Sequence, residues 1–214
     1  MKRRIVLLGP PASGKGTQAE LIQRRFGITA TSTGAILRAE AKGGTPMGVA
    51  AAKIIAVGGL APDEMVLRLV AAWLDKLDGS FLFDGFPRTV RQAEQFELLL
   101  CQRRSALESV IFLDIPEPVI RARMVRRLTC SNCGKVISIG RHVHDAGDPC
   151  PNCGGKLEGR EDDNLDALKL RMQEYREKTV PVTDFYDRRG ILARVDGDRA
   201  GNAVFKDVSE LIVA

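Results

Sequence analysis

Ile5-Val6-Leu7-Leu8-Gly9-Pro10-Pro11-Ala12-Ser13-Gly14-Lys15-Gly16-Thr17 is the stretch on which the fold turns. Its four apolar residues read as a buried strand. The Gly/Pro-rich turn after them opens a helix expected over 17–25. A glycine-rich loop between strand and helix, carrying Lys and a hydroxyl, is a phosphate cradle. Glycine is required where backbone bends sharply or approaches phosphate closely. Successive N–H groups and the helix N-terminus then bind the oxyanion. Lys15 adds a point charge for a β- or γ-phosphate. The hydroxyl departs from the simplest pattern, because Gly16 intervenes before Thr17. A Gly-rich turn with a Lys in it by chance is the bland alternative, and the strand before and helix after weigh against it. By itself the loop specifies a nucleoside triphosphate and nothing finer.

Outward from the loop, short β-prone runs at 28–32, 81–83, 110–114 and 191–195 alternate with helices. The helices are expected over 34–42, 47–57, 62–77, 89–104, 118–128, 162–188 with a bend near Pro181, and 203–213. This alternation implies an α/β fold of the P-loop kind, a parallel five-stranded sheet with helices on both faces. Ligands bind such sheets outside the carboxyl ends of the strands. That points to Gly9 onward, Thr33, Asp84 and the segment after Val195. The stretch 130–156, rich in Gly, Pro, Asp and Cys, reads as an inserted loop domain.

The 214 residues are 44% hydrophobic and 28% charged, an ordinary globular balance. Apolar runs are too short to span a bilayer. The N-terminal run stops at Gly9, short of a signal peptide, so a cytoplasmic location is expected. The net charge of +5 is compatible with an anionic ligand or nucleic acid. Of five cysteines, Cys101 stands alone and reads as a small buried hydrophobe. The others form Cys130-Ser131-Asn132-Cys133 and Cys150-Pro151-Asn152-Cys153, each followed by Gly. Such knuckles bring two thiolates to one ion, and four thiolates close a tetrahedral, structural site. Zinc is favoured over iron, and disulfides are the remaining alternative.

Phe83-Asp84-Gly85-Phe86-Pro87-Arg88-Thr89 follows a strand. There Asp84 is well placed to hold Mg²⁺ through its waters. With the cradle, this segment resembles the adenylate kinase family, and the resemblance runs through nearly the whole chain. It implies a core of 1–32, 62–126 and 164–214, a helical AMP-binding insertion of 33–61, and a zinc-binding lid of 127–163. It implies ATP + AMP = 2 ADP as the reaction. The ATP site so implied comprises Gly9, Ala12, Ser13, Gly14, Lys15, Gly16, Thr17, Arg123, Arg127, Val136, Ile137 and the backbone of Arg199. On the AMP side, Thr33 faces the base, Arg38 the phosphate, and Gly59, Leu60 and Ala61 line the adenine. Gly85, Phe86, Pro87, Arg88 and Gln92, with Arg160 and Arg171, complete it. Lys15, Asp84, Arg88, Arg123, Arg127, Arg160 and Arg171 are the expected catalytic set.

Arg123 and Arg127, four apart on an expected helix, would share a face, whereas Arg121 and Arg126 read as solvated controls. No general base is needed, because AMP's phosphate, with a second pKa of about 6, is already mostly dianionic at neutral pH. Four departures from the family pattern stand out: Ala12 for a Gly, read as a turn without positive φ; Ala35 for an Asp; Ile137-Ser138 where Tyr-His is usual; and no Pro-Pro before Cys150. Thr33 favours AMP over UMP or CMP, the acceptors of the nearest alternative kinases. A zinc-ribbon nucleic-acid-binding ATPase is the alternative of another class. The insertion's Asp145, Asp148 and Glu158, and its lack of aromatic residues for base stacking, weigh against that. An adenylate kinase fold kept for binding alone is the third reading. A monomer without nucleic acid or membrane partners is expected.

Overall fold

The computed structural model describes residues 1–56, 59–77, 79–140, 143–159 and 165–214. The apolar run before the cradle forms β1 (Arg4–Leu8), and its last four residues are fully buried. Burial on both faces marks a central parallel strand. Around it lie β2 (Ala30–Ser32), β3 (Phe81–Asp84), β4 (Ser109–Asp114) and β8 (Leu192–Asp196), in the order β2-β3-β1-β4-β8. All neighbours are parallel, with Leu7 opposite Asp84 and Ile111. The order reverses direction at β1, so the cradle sits at the switch point where such sheets open a crevice.

Strand alternation divides the core in two. Ile5, Leu7, Leu82, Ile111 and Leu113 face α1 (Lys15–Phe26) and α9 (Gly201–Val213). Val6, Leu8, Phe81, Phe83, Val110 and Phe112 face α4 (Asp63–Leu74), α5 (Val90–Gln102) and α8 (Val180–Asp187). Phe83 anchors this second layer, with its ring 4.9 Å from Trp73, 5.3 Å from Phe86 and 5.5 Å from Phe96. Helices α2 (Thr33–Lys42) and α3 (Pro46–Ala56) form the excursion between β2 and α4.

The long helix expected over 162–188 is built as α7 (Leu165–Glu174), a π turn at Tyr175–Thr179, and α8; 162–164 lie outside the described residues. Pro181 lacks an N–H and its ring crowds the preceding turn, which accounts for the widened turn ahead of it.

Three expectations are corrected. Helix α6 (Glu117–Met124) stops before Arg127, which instead opens β5 (Arg127–Cys130). Leu128 and Cys130 are drawn into a separate small core, and Arg127 pairs with Ser138. Arg123 and Arg127 therefore share no helix face. The insertion is also more than a loop. β5 lies between β6 (Val136–Ser138) and β7 (Leu157–Gly159) in an antiparallel sheet. Cys101 is exposed rather than buried, on the outer side of α5.

Gly9 ends β1 at φ +147°, and a Cβ there would stand 2.6 Å from the Leu113 carbonyl oxygen and 2.9 Å from Ser13 Oγ. Gly9→Ala should thus force β1 from β4 or distort the cradle, at a cost of about 1–3 kcal/mol. Denaturant unfolding should register it. A variant with wild-type stability would show that the contact yields freely.

Candidate active site

The cradle is made by two left-handed residues, Ala12 at φ 58° and Gly14 at φ 92°. Ala12 does take positive φ, contrary to the sequence reading, and so carries a local strain that Gly would not. Gly14 caps α1 without a side-chain hydrogen bond. The first-turn N–H groups are thus left to an anion. Lys15 Nζ folds over the loop, donating to Gly9 O at 2.9 Å, Pro10 O at 2.8 Å and Ser13 Oγ at 3.2 Å. A Cβ on Gly85 (φ +71°) would lie 3.5 Å from Lys15 Cε and 3.6 Å from Arg88 Nη2. Gly85 therefore marks where the cradle meets the Asp84–Arg88 turn.

Burial of its ammonium lowers Lys15 to about 8, against the pull of Asp84 and with the help of Arg88, Arg127 and Arg171. Burial raises Asp84, opposed by Lys15, Arg88, Arg127 and Arg38. One carboxylate is thus faced by four cations, Lys15, Arg38, Arg88 and Arg127, from separate parts of the chain.

Two cavities meet here, sharing Ala12, Lys15, Asp84 and Arg127 in their walls. The first is lined by Thr33, Arg38, Gly59, Leu60, Ala61, Gly85, Arg88, Gln92 and Arg171, with Gly9 at its floor. Ser32 accepts from Ala35 N at 3.0 Å and caps α2, which sets Thr33 and Gly34 at its start. Arg38, one turn on, brings Nη1 within 3.2 Å of where a Gly34 Cβ would be.

Thr89 caps α5 by accepting from Gln92 N at 3.0 Å and donates to Asp63 Oδ2 at 3.0 Å. Gln92 Nε2 donates to Asp63 Oδ1 at 2.7 Å, and its Oε1 accepts from Arg88 N at 2.8 Å. The Gln92 amide expected to read a base thus also ties the 85–92 turn to α4. Phe86 and Pro87 are buried and, unlike their neighbours, do not line the cavity. Phe86 is held among Phe83 and Phe96 instead. The sequence reading missed Glu174, Tyr175 and Thr179, which complete this wall. Thr179 Oγ1 donates to Arg88 O at 3.0 Å. No motif marks these residues; they arrive through the π turn.

The second cavity is lined by Ser13, Gly14, Gly16, Thr17, Arg123, Val136 and Arg199. Arg123 Nη2 donates to Gly197 O at 3.0 Å and stands 3.5 Å from Asp198 Oδ1. Arg199 pairs with Asp207. Val136 faces the cavity, whereas Ile137 turns into the small core because β6 alternates. Arg126, read as solvated, is exposed yet lines this cavity; Arg121 lines neither and pairs with Glu117 at 2.7 Å. Lys135 Nζ lies 3.3 Å from Glu20 Oε2, joining the insertion to α1 across the rim. Arg160 and His142 lie outside the described residues.

The four cysteines of the insertion have all Sγ atoms within 4.8 Å of one another. Cys130 and Cys153 are 3.5 Å apart, and Cys133 and Cys150 3.8 Å. These are far from the ~2.05 Å of a disulfide. They fit the ~3.8 Å edge of a tetrahedron built on metal–sulfur bonds of ~2.3 Å. The knuckles close through Gly134 N to Cys130 O at 2.9 Å and Gly154 N to Cys150 O at 2.7 Å. The four thiols suit a metal ion.

The adenylate kinase family model matches residues 7–191. The chain belongs to the adenylate kinase family. It is 36% identical to the adenylate kinase of Syntrophobacter fumaroxidans over 97% of this chain and 99% of that one. It is 40% identical to those of Syntrophotalea carbinolica, over 91% of each chain, and Sphingopyxis alaskensis, over 95% and 96%. The chain is thus a phosphotransferase, an enzyme that moves a phosphoryl group between two nucleotides. Among the described residues no helix is long and apolar enough to cross a membrane.

The charge on Lys15 sets an expected pH dependence. Below about 8 the ammonium is charged; above it the charge is lost. kcat/KM for ATP should therefore fall as pH rises through about 8. Bound triphosphate favours the charged form, so the limb in kcat should lie at higher pH. A kcat/KM profile flat to pH 9.5 would contradict this.

Proposed function

We propose that the chain transfers the terminal phosphoryl group of ATP reversibly to AMP, giving two ADP, and so balances adenine nucleotides. The observation that supports it is the meeting of two cavities at Lys15 and Asp84, one entered from the cradle and one from Thr33 and Arg38. ATP occupies the cradle side, with its phosphates on residues 9–17 and its base near Val136 and the Arg199 backbone. AMP occupies the other, between Thr33, Arg38, residues 59–61, Gly85, Arg88 and Gln92.

Lys15, Arg88, Arg123, Arg127 and Arg171, with Arg160, neutralise the charge that spreads over the transferring group. Asp84 is a buried carboxylate beside the cradle and fits a partner for the hydrated Mg²⁺ that accompanies ATP. When bound, that ion would supply further charge neutralisation. The acceptor is already an anion, so no base is assigned, and His144 lies in the insertion, lining neither cavity.

The chain divides into a core of 1–32, 62–126 and 164–214, an AMP-binding insertion of 33–61 and a lid of 127–163. Zinc on Cys130, Cys133, Cys150 and Cys153 is structural, because four thiolates leave no position for substrate. The enzyme works as a cytoplasmic monomer without nucleic acid or membrane partners.

The test is a coupled assay with ATP and each of AMP, CMP, UMP and GMP. AMP should be the best acceptor; faster turnover of UMP or CMP would overturn the assignment. In the same assay Arg88→Ala should lower kcat at least ~100-fold, the scale of one lost transition-state donor. Arg121→Ala, outside both cavities, should stay near wild type, and equal losses would refute the arginine assignment.

Chelation under reducing conditions provides a separate check. Metal removal should lower the melting temperature and loosen residues 127–159, since their small apolar core cannot order them alone. The core should remain folded and some turnover persist at low temperature. A protein that binds no metal, or one that loses all chemistry while the insertion stays ordered, would sink the structural-zinc reading.

A further inference from the structure

Gln18 lies on α1 one turn beyond the cradle and is 3% exposed. Its Nε2 donates to the Gly201 carbonyl at 3.0 Å. That bond determines which way the amide faces, because the reversed amide would set two acceptors against each other. Oε1 is thereby left buried with no hydrogen-bond partner among the described residues. A buried carbonyl oxygen without a donor is costly, and such atoms usually await a partner the protein does not itself supply.

The surroundings say what that partner is. Gln18 lines the second cavity beside Gly197, Arg199, Gly201 and Val204, on the wall away from β3. The phosphates belong at the cradle N–H groups, so this wall is left for the base. Val204 makes that wall apolar, and Oε1 is an acceptor lying just beneath it with no donor of its own. The other buried orphans do not compete: Thr129 and Tyr186 line neither cavity, and Glu174 has Lys178 Nζ at 2.6 Å.

We propose that Gln18 is a specificity residue for the phosphoryl donor, its Oε1 accepting a hydrogen bond from the exocyclic amine of the base. An amine carries two N–H donors, so one can serve Gln18 while the other serves the Arg199 carbonyl. A 6-oxo purine would turn an acceptor toward Oε1 and leave both oxygens unpaired, the arrangement that discriminates most strongly. The inference rests on ATP occupying the cradle side, as proposed above.

The experiment is a cycle between one side chain and one ligand group. kcat/KM is measured at saturating AMP for wild type and Gln18→Met, with ATP, with purine riboside triphosphate lacking the 6-amine, and with ITP. Gln18→Met should lower kcat/KM for ATP about fivefold to tenfold, the worth of one hydrogen bond. For purine riboside triphosphate the change should be under about twofold, and the ATP/ITP ratio should shrink. Gln18→Asn, whose oxygen is withdrawn by one methylene, should behave likewise and serves if Gln18→Met does not fold. Equal losses with ATP and purine riboside triphosphate would overturn the inference and leave Gln18 a strut between α1 and Gly201. Absence of any transfer from ATP to AMP in wild type would instead refute the parent reading.

Discussion

The charge cluster around Asp84 is the constraint on which the rest depends. Arg88, Arg127 and Arg171 act on Lys15, and Lys15, Arg88, Arg127 and Arg38 act on the carboxylate. Like charges held this close in a poorly solvated cleft repel, and Lys15 is depressed first by burial of its ammonium and further by that repulsion. The arrangement makes sense only for a polyanion. Two nucleotides bring the negative charge that relieves it, most fully when charge spreads over the group in flight. Preorganising those cations requires a rigid support, and the sheet provides it: Asp84 ends β3 opposite Leu7, two residues before Gly9 begins the cradle.

Each wall of the cleft is held by polar groups at element ends rather than by the substrate-facing side chains alone. Asp63 binds both Thr89 and Gln92, so the Arg88 turn is fastened to the first turn of α4. Thr179, in the π turn, takes hold of the Arg88 carbonyl from the other side. Arg88 is thereby positioned by three elements. On the donor side Arg123 fastens α6 to the loop after β8 through Gly197. Gly197 itself is closely hemmed, since a Cβ there would stand 2.9 Å from Ile115.

The insertion obeys a different logic. Its core is little more than Leu128, Val143 and Leu157 with two cysteines, and the other two thiols of the cluster face solvent. Such a domain gains little from burial, and a metal on the four thiols would supply what burial does not. What it presents to the cleft includes Arg127, Lys135 and Val136, and the Lys135–Glu20 pair holds that face against α1. A partly exposed pair of this kind is weak and easily broken.

The sequence by itself determined what is written in contiguous residues. The cradle, the Asp84–Arg88 turn, the Cys-x-x-Cys pairs and the alternation of strands and helices are local patterns whose chemistry is legible without coordinates. The sheet, the paired cavities and the clustered thiols followed from them. Tertiary structure alone decided which neighbours share a wall. Arg127 leaves the helix of Arg123 because Leu128 and Cys130 are claimed by the small core, through strand pairings 7 to 31 residues distant in the chain. Phe86 belongs to the aromatic layer and Ile137 to the insertion's core, because burial and strand alternation assign each side chain to one side only. Arg126, Thr179 and Gln18 carry no motif. Their places in the cleft depend on how distant elements pack, and packing is a property of the whole chain that no local spacing encodes.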